Sequence, residues 1–378
     1  MEFDFTKPYC VDSCNDRLVL IYASRTPIGS YKGAYKDLTT IELASASVQS
    51  YVKDVPNDCN NIQALYAGIA MTSGLGQAVD KQIVLKSKLP SNIVSASVNK
   101  VCASGMKIVE LACNELRLNY WDKVVLCVGA ESMTRSTLNE GLVDAISGKH
   151  MGEINAQLAD SLEISRAMQD DYAISSYERA IRAWDEGVMK SEIALVADIL
   201  HKDEELGKYK PEKIPLLKPA FGSSVTAANA SSLGDGAATI AVCKESFAIE
   251  NNMKVLGEVV SYADSANDPE LFGLAPQLAV KKLAKRFNRE VDEFSDQIKL
   301  WEINEAFSTV AMANISMLQL DRDIVNIHGG AVAIGHPLGM SGTRIIVHMI
   351  HTLNKNDLGV CTICNGGGGA SAILLRKV

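Results

Sequence analysis

Ser104–Val109 has the sequence SGMKIV and Ser341–Ile346 has the sequence SGTRII, so both follow one pattern of Ser-Gly, any residue, a base and two β-branched residues. Each stretch opens a segment with apolar residues at helical spacing. Each also follows a residue of a reactive type, Cys102 in one case and His336 in the other. Six-residue matches arise by chance, so the pair alone only indicates a duplicated fold. Two related halves would place both helix starts at equivalent positions, facing each other.

Strand-like and helix-like segments alternate outward from these stretches. Continuous apolar runs, rich in β-branched residues, occur at Leu18–Tyr22, Lys123–Val128, Ala237–Val242, Thr362–Cys364 and Ala372–Leu375. Met106–Leu118 has the apolar spacing of an amphipathic helix. Such runs are typical of strands that are buried on both faces. The sequence therefore predicts an α/β fold in which parallel sheets are covered by helices.

Residues 132–221 interrupt this alternation. They are mostly polar, with a helical pattern over Ser161–Trp184 and a Lys-, Glu- and Pro-rich passage over His201–Pro219. We interpret the region as an insertion that covers a site. The expected domains are 1–131 with 222–250 as a first α/β half, 132–221 as the insertion, and 251–378 as a second half.

The composition limits the class of protein. The chain has 378 residues, 47% of them hydrophobic, and 37 Lys and Arg against 45 Asp and Glu give a net charge of −8. Proteins that bind nucleic acid through its phosphates usually carry the opposite balance. No apolar run reaches the ~18 residues that span a membrane. Neither a nucleic-acid partner nor a membrane partner is expected.

The two termini and the cysteines bear on the compartment. The N-terminal sequence MEFDFTKPYCVDSCNDR has neither the apolar stretch of a secretion signal nor the composition of a transit peptide. The C-terminal Arg376-Lys377-Val378 is not a peroxisomal tail. We expect a cytoplasmic protein, or a mitochondrial matrix protein if a transit peptide was removed. The nine cysteines are expected to be free thiols.

Cys102 is a candidate nucleophile. It lies where the helical pattern begins, and the partial positive charge at a helix N-terminus favours a thiolate. The small residues after it leave room for a substrate. The alternative is a small buried hydrophobic residue, as most cysteines are.

His336 is the candidate general base. It lies in Gly329–Gly339, where flanking glycines allow a ligand to approach closely, and Pro337 favours an extended conformation before a helix. A structural histidine is an equal alternative. His348 and His351, three residues apart in a helix, are expected to be surface or packing residues.

Cys361-Thr362-Ile363-Cys364 precedes four consecutive glycines, Gly366–Gly369. A Cys-x-x-Cys pair can be a redox pair or half of a zinc site, but no second pair follows it. The glycines match no phosphate-loop motif. A strand that ends in glycines exposes backbone amides, which favours an oxyanion hole with Cys364 facing it.

Asn304 and Glu305 follow an apolar run that ends at Ile303. Residues at such a place often cap a helix. Alternatively, the Asn304 amide holds a water or a substrate oxygen. Both interpretations remain open on the residues alone.

Four segments together resemble the thiolase family: Asn99–Lys107, Asn304–Phe307, Gly329–Gly342 and Cys364–Gly369. They occur in the right order, and with the internal repeat the resemblance spans about residues 18–378. NKVCASGMK and ICNGGGGASA are most similar to the biosynthetic, acetoacetyl-CoA branch, and particularly to its mitochondrial potassium-activated type. The resemblance implies a thiolase fold, with two duplicated α/β halves in a five-layered αβαβα core and a loop domain inserted in the first half.

The resemblance also implies an acetyl-CoA C-acetyltransferase reaction, the reversible condensation of two acetyl-CoA to acetoacetyl-CoA and CoA. Cys102 would carry the acetyl group as a thioester and His336 would activate it. Cys364 would be the second acid/base. Asn304 would hold a water at the enolate, and the backbone amides of Cys102 and Gly366 would form an oxyanion hole.

The implied ligands are small-molecule CoA thioesters, with no required cofactor. Ser231 matches a coenzyme A contact, and His150, Met151 and Phe272 match substrate contacts. Potassium-binding members use a tyrosine and several backbone carbonyls, and the matching positions here are Tyr177, Ala227, Ala228, Ala230 and Val332. Oxygen ligands of this kind suit a hard cation.

Three departures from the family pattern affect these expectations. The segment between Glu131 and His150, which contains the family's tetramer-forming loop, is short, so a homodimer is expected rather than a tetramer. Asn155-Ala156-Gln157 replaces the usual Ala-Glu-Asn and changes the local pocket polarity. Phe272 lacks the neighbouring proline of branched-substrate members, which leaves the acceptance of 2-methylacetoacetyl-CoA open.

Three alternatives to this function remain. A degradative 3-ketoacyl-CoA thiolase acting on longer chains shares the catalytic residues, although Met151 and the C-terminus favour the short-chain activity. A ketoacyl synthase usually has two histidines with its cysteine, which the Cys364 motif opposes. A catalytically silent CoA- or lipid-binding relative would lack at least one of Cys102, Asn304, His336 and Cys364, and all four are present.

Overall fold

The computed structural model describes residues 16–55 and 59–378. Most of the N-terminal sequence considered above for targeting signals therefore lies outside the described residues, as do two of the nine cysteines. The strands are β1 (Leu18–Arg25), β2 (Gly29–Ser30), β3 (Ile62–Gly68), β4 (Val94–Val98), β5 (Val124–Ser132), β6 (Gly234–Lys244), β7 (Gly257–Ala266), β8 (Leu300–Ile303), β9 (Leu358–Asn365) and β10 (Gly369–Lys377). The helices are α1 (Thr40–Asp54), α2 (Val79–Lys86), α3 (Ser104–Arg117), α4 (Asn139–Leu142), α5 (Met151–Ser161), α6 (Arg166–Asp185), α7 (Glu245–Glu250), α8 (Ala275–Lys285), α9 (Val291–Ser295), α10 (Ser308–Met317), α11 (Ala331–Ile334) and α12 (Leu338–Thr352). Among these helices, none combines the length and the apolar character that a bilayer crossing requires.

The strands form one sheet in the order β4-β3-β5-β6-β1-β7-β10-β9-β8, with β2 paired to β6. In the first half, β6 is antiparallel to β1 and β5, and β5 is parallel to β3. In the second half, β10 is antiparallel to β7 and β9, and β9 is parallel to β8. Within the described part of the chain, two residue pairs between β1 and β7 join the strands of the two halves. The duplicated order confirms the fold predicted from the repeated stretches.

The prediction of parallel sheets is wrong for five of the described strands. β1, β2, β6, β7 and β10 pair with their neighbours in the sheet only in the antiparallel direction, so the sheet is mixed. The longer of these strands are nevertheless apolar along most of their length because helices cover both faces of each half. Burial on both faces produces the same sequence pattern whichever way a strand runs.

Helices separate the two halves of the sheet and also cover their outer faces. α3 and α12 lie in the middle and contact strands of both halves, whereas α1 packs outside the first half and α8 outside the second. Three large apolar clusters correspond to this middle layer and the two outer interfaces. The arrangement is helix, sheet, helix, sheet, helix, which is the five-layered core that the resemblance implies.

The repeated Ser-Gly pairs let α3 and α12 touch backbone to backbone. A Cβ added to Gly342 would lie 2.4 Å from the Met106 nitrogen, and one added to Gly105 would lie 2.6 Å from the Gly339 oxygen. The Thr343 hydroxyl donates to the Gly105 oxygen over 2.8 Å. The two helix starts therefore face each other as predicted, because glycine leaves room for the crossing.

Residues 132–221 contain α4, α5 and α6 and three short 3₁₀ turns. The helix predicted over Ser161–Trp184 begins late, because α5 ends at Ser161 and α6 begins only at Arg166. Glu163 between them has a φ of +55°, and the Ser165 hydroxyl caps α6 by accepting from the Met168 nitrogen. This left-handed residue breaks the helix in a way that the polar sequence did not reveal.

Candidate active site

A cavity of about 290 Å³ lies where the starts of α3 and α12 meet the β9–β10 hairpin. Nine of the residues expected to form the site line it: Cys102, His150, Met151, Ala230, Ser231, Phe272, His336, Cys364 and Gly366. They come from both halves of the sheet and from residues 132–221. The structure therefore brings together segments that are more than 200 residues apart in the sequence.

Cys102 lies just before α3 and is 9% exposed. Its thiol accepts hydrogen bonds from the Gly366 N–H and from its own N–H, but burial outweighs both and raises the pKa of Cys102 to about 12. The expectation of a thiolate stabilised by the helix N-terminus is therefore wrong for the free protein. Desolvation of a buried charge exceeds the effect of the helix end.

His336 is buried and held by hydrogen bonds at both its backbone and its ring. Its backbone N–H donates to the Ser232 oxygen over 2.8 Å, and its Nδ1 lies 2.6 Å from the Ser341 hydroxyl. The Ser341 hydroxyl donates its hydrogen bond to the Pro337 oxygen. It must therefore accept a hydrogen bond from Nδ1–H of His336. Nε2 is then unprotonated. Burial, with a smaller effect from Arg344, lowers the pKa of His336 to about 3 and keeps it a neutral base.

Asn304 follows β8 and is 1% exposed. Its Nδ2 lies 3.5 Å from Nε2 of His336, and its Oδ1 has no hydrogen-bond partner in the part of the chain that the structure describes. Asn304 does not cap the next helix, because α10 begins at Ser308 and no side chain caps it. Asn304 is not among the residues that line the cavity, and its amide adjoins the unprotonated Nε2 of His336.

Cys364 and Cys361 point to opposite faces of β9. Cys364 belongs to an apolar cluster with Phe272, Ile154 and Val310, whereas the Cys361 thiol donates to the Ile345 oxygen in the middle layer. The pair is therefore neither a redox pair nor half of a zinc site. Among the described residues, no group of three or more His, Cys, Asp or Glu side chains could hold a metal ion.

The Cys364 thiol is protonated at rest. Burial raises the pKa of Cys364 well above its ordinary value, and the nearby Cys102 thiol raises it further. A thiol with a raised pKa is a poor resting nucleophile. It can still donate a proton to a carbanion that forms beside it.

The His-Met-Gly segment forms one wall of the cavity. The ring of His150 stacks on Phe221, with centroids 4.4 Å apart, and its Nδ1 accepts from the Gly152 nitrogen over 3.0 Å. A Cβ on Gly152 would lie 2.2 Å from the Phe221 ring, which explains the glycine. On the opposite side, the Ser231 hydroxyl donates to the Ala306 oxygen over 2.8 Å.

The residues expected to hold potassium lie beside the cavity. Tyr177 of α6 stacks on Tyr209 with centroids 4.9 Å apart. Burial and, secondarily, the charge of Glu205 raise the pKa of Tyr177 to about 12, and its hydroxyl is hydrogen-bonded to Ser232. The helix α11, which contains Val332, packs on α6. Ala227, Ala228 and Ala230 lie in the turn that leads to Ser232, where Ala230 donates to the Thr226 oxygen.

Sequence reasoning missed several residues of the site. Ser341 belongs to the repeated stretch but was given no role, although it lies only five residues after His336. Met133, Leu142, Phe221, Phe307, Leu338 and Asn365 line the cavity and were not singled out. Phe307, Leu338 and Asn365 lie within the segments that carry the resemblance, whereas Met133, Leu142 and Phe221 belong to no motif and only the fold brings them to the cavity.

His348 is not a surface residue, and its role goes beyond apolar packing. It is 3% exposed, its Nδ1 lies 2.8 Å from Glu192, and Glu302 lies 4.0 Å from its other nitrogen. Arg25 pairs with Glu192 and Asp203, and Arg344 pairs with Glu302. This buried charge cluster joins α12 to β1, to β8 and to residues 188–204.

Family models match most of the chain. The model described as "Thiolase, N-terminal domain" matches residues 18–140 and 136–246, and the one described as "Thiolase, C-terminal domain" matches residues 253–377. The chain is 39% identical over 393 residues to the mitochondrial acetyl-CoA acetyltransferase of Mus musculus, which covers 96% of this chain and 92% of that protein. It is 37% identical over 402 residues to that of Danio rerio, covering 98% and 94%.

Known structures agree with these matches. The Acat5 thiolase from Ascaris suum in complex with coenzyme A superimposes with a TM-score of 0.92 at 37% identity, covering 96% of this chain and 100% of that one. The human mitochondrial 3-ketoacyl-CoA thiolase in complex with CoA gives a TM-score of 0.89 at 28% identity, covering 96% and 98%. On the duplicated fold, the family models and these relatives, the chain belongs to the thiolase family of acyltransferases.

Proposed function

We propose that the protein is an acetyl-CoA C-acetyltransferase, which interconverts two acetyl-CoA with acetoacetyl-CoA and CoA. One observation carries the proposal: the buried side chains of Cys102, His336 and Cys364 line the same cavity, and the Gly366 N–H is bonded to the Cys102 thiol. The relatives named acetyl-CoA acetyltransferase support the same activity at about 38% identity.

In thiolysis, the Cys102 sulfur attacks the ketone carbon of acetoacetyl-CoA. The thiol proton passes to His336, which is neutral before the reaction because burial lowers its pKa. The bond between C2 and C3 then breaks and leaves an acetyl group on Cys102. The electron pair remains on the acetyl-CoA enolate, which takes a proton from the Cys364 thiol.

The second half of the reaction restores both thiols. The Cys364 thiolate takes the proton of an incoming CoA thiol, and the CoA sulfur attacks the acetyl group on Cys102. Acetyl-CoA leaves as the Cys102 sulfur recovers its proton from His336. A thiolate is both a good nucleophile and a good leaving group, so the acetyl-enzyme is formed and consumed readily.

Hydrogen-bond donors are available for the oxyanions of these steps. The Cys102 and Gly366 amides serve the tetrahedral intermediate, and the Asn304 amide with its water serves the enolate oxygen beside His336. Losing one such donor typically costs about 3 kcal/mol of barrier. The unpaired Oδ1 of Asn304 supports this role, because a buried polar atom without a protein partner is a place for an ordered water.

Residues 132–221 are proposed to be a domain that covers the substrate, between a half formed by 1–131 with 222–250 and a half formed by 251–378. His150 and Met151 from this cover would contact the substrate, as would Phe272 and Ser231 from the core. The support is that all four line the cavity. The phenylalanine rings around them favour the apolar part of a short acyl thioester.

A potassium ion is proposed to bind at Tyr177 and the carbonyls of Ala227, Ala228, Ala230 and Val332. The acidic surroundings support the proposal. Beyond the effect of burial, the negative charges of Glu205 and Glu305 disfavour ionisation of Tyr177 and raise its pKa, and the same negative charges would attract a cation. The ion would supply a fixed positive charge beside Ser231. Tyr177→Phe is expected to reduce the stimulation of thiolysis by KCl over NaCl, with Tyr120→Phe at an exposed site as the control.

A homodimer is proposed rather than a tetramer. β4 is an edge strand of the sheet, and most of its residues are exposed, including Val94 at 52%. An exposed apolar edge can pair with a second copy. Light scattering of the chain and of a Val94→Lys variant tests this. The compartment proposed is the mitochondrion rather than the cytoplasm, because the similar acetyl-CoA acetyltransferases of Mus musculus and Bos taurus are mitochondrial.

The decisive experiment incubates the protein with acetoacetyl-CoA and CoA and follows the loss of the enolate absorbance. Turnover that disappears in Cys102→Ala is expected. A folded chain without turnover would overturn the proposal in favour of a silent CoA-binding relative. 3-Ketooctanoyl-CoA tests the second candidate, a thiolase of longer chains, which the 28% identical human 3-ketoacyl-CoA thiolase favours.

A further inference from the structure

The turn that presents Gly366 consists of glycines and so has no side chains of its own. Gly366, Gly367 and Gly368 connect β9 to β10, and the last two have φ of +81° and +83°. A Cβ placed on Gly367 would have nothing within 4 Å. Glycines have the largest conformational freedom of all residues, yet the Gly366 N–H must remain directed at Cys102.

Two hydrogen bonds reach the carbonyl groups of this hairpin. The Asn267 backbone N–H donates to the Gly368 oxygen over 2.8 Å. On the side nearer Cys102, the Asn365 side chain donates from Nδ2 to the Gly366 oxygen, also over 2.8 Å. Asn365 therefore restrains the residue whose N–H is bonded to the Cys102 thiol.

The amide of Asn365 is fixed in turn by Gly369. Asn365 ends β9 and pairs with Gly369 across the hairpin. A Cβ on Gly369 would lie 2.7 Å from both Nδ2 and Oδ1 of Asn365. The Asn365 amide therefore occupies the space that a side chain at position 369 would need. Asn365 is 7% exposed, which leaves the amide little room to move.

Asparagine at position 365 carries an energetic cost, so its presence is not explained by stability alone. Oδ1 of Asn365 is buried and has no hydrogen-bond partner within residues 16–55 and 59–378. A buried unpaired carbonyl is destabilising. A leucine of the same shape would avoid that cost but could not hold Gly366.

We propose that Asn365 is a positioning residue for the oxyanion hole, which holds the Gly366 peptide so that its N–H stays directed at Cys102. The inference rests on the proposed function, since only acyl transfer needs this oxyanion hole. Asn365 acts through Gly366. It therefore affects the rate of the chemical step and not the affinity for the substrate.

The test compares Asn365→Leu with the unsubstituted chain in thiolysis of acetoacetyl-CoA. Leucine keeps the four side-chain heavy atoms and removes the donor. We expect kcat to fall about 10- to 100-fold, because small misplacements of catalytic groups and lost oxyanion donors have effects of this size. KM for acetoacetyl-CoA is expected to remain within about 3-fold, since binding is not the step affected.

Gly369→Ala provides an independent second variant. It leaves Asn365 in place and displaces its amide, so it is expected to lower kcat in the same way. The combined variant is expected to fall no further than the lower of the two, because both remove one restraint. Asn251→Leu is the matched control, since Asn251 also donates from Nδ2 to a backbone oxygen, that of Phe247, over 2.9 Å, but at the exposed C-terminal end of α7.

Three outcomes would overturn the inference: unchanged kcat in Asn365→Leu, a rise in KM of about 10-fold at constant kcat, which would make Asn365 a substrate contact, or losses that multiply in the combined variant. If Asn365→Leu does not fold, Gly369→Ala decides alone. Absence of turnover in the unsubstituted, folded chain would instead overturn the proposed function, so the two failures are distinguishable.

Discussion

Ser341 accepts a hydrogen bond from Nδ1 of His336 over 2.6 Å and donates one to the Pro337 oxygen over 2.9 Å. This pair fixes the tautomer of the imidazole. The lone pair is then on Nε2, the nitrogen that lies towards Asn304. The geometry gives the base one orientation before any substrate is bound, which reduces the reorganisation needed during the reaction.

Ser341→Ala is therefore expected to lower kcat about 10-fold or more, because the imidazole can then rotate or adopt the other tautomer. KM should change little. Thiolysis kinetics measure both. Ser50→Ala is the control, since Ser50 makes the same bond to a carbonyl four residues earlier, that of Ala46, without a histidine. Equal kcat values for Ser341→Ala and the unsubstituted chain would exclude the positioning role.

His336→Ala is expected to slow acetylation of Cys102 by about 10²- to 10⁴-fold, the usual contribution of a general base. The pH dependence is the sharper readout. Because the pKa of Cys102 is raised to about 12, the variant depends on a scarce thiolate, and its rate should rise about tenfold per pH unit between pH 7 and 9. The unsubstituted chain should show a much smaller slope, since a neutral His336 takes the proton at every pH in that range.

Mass spectrometry of the acetyl-enzyme after mixing with acetyl-CoA measures this rate. His351→Ala is the matched control, because His351 lies on the same helix and contacts the Ala23 oxygen, away from the cavity. Parallel pH profiles for His336→Ala and the unsubstituted chain would mean that Cys102 reacts as a preformed thiolate in both.

The α/β fold and the facing helix starts behind Cys102 and His336 were predictable from local pattern, whereas most of the other site residues were predicted from the resemblance to the thiolase family. The paired Ser-Gly stretches mark a backbone crossing that only glycine permits, and Cys102 and His336 precede those crossings. Strand direction was not predictable, because β1 and β6 are buried on both faces whichever way they run. Cys361 and Cys364 were separable in principle, since residues three apart on a strand face opposite sides.

What remained hidden depends on distant partners. The pKa of Cys102 follows from how deeply the whole fold buries it, and no local motif reports that depth. His348 has a helical position that fits apolar packing, yet its partner Glu192 is more than 150 residues earlier in the chain. The hydrogen bond from the Asn365 side chain to the Gly366 oxygen can be recognised only once the hairpin geometry is known.

His348→Gln is expected to destabilise the protein by about 3 kcal/mol at pH 6, the cost of breaking a buried ion pair. Burial acts to lower the pKa of His348, but the Glu192 carboxylate and Glu302 together raise it above its ordinary value. A raised folded-state pKa gives stability that is complete below the unfolded pKa of about 6.5 and is lost as pH rises through the folded value.

The difference in melting temperature between the unsubstituted chain and His348→Gln should therefore shrink from pH 6 to pH 9. His201→Gln is the control, because His201 pairs with Asp198 on the surface and its side chain is 64% exposed. A difference that is constant with pH would show that His348 contributes packing and no charge.

Gly342→Ala is expected to destabilise the core by about 3 kcal/mol, at the upper end for an overpacked site. The added Cβ would lie 2.4 Å from the Met106 nitrogen, and backbone atoms in a helix cannot move aside as a side chain can. Separation of α3 from α12 would also shift Cys102 relative to His336, so kcat should fall in the folded fraction.

Chemical denaturation and thiolysis kinetics measure the two effects. Gly207→Ala, where an added Cβ has nothing within 4 Å, should change neither. If Gly342→Ala were as stable and active as Gly207→Ala, the close crossing of the two helices would not be what fixes the site.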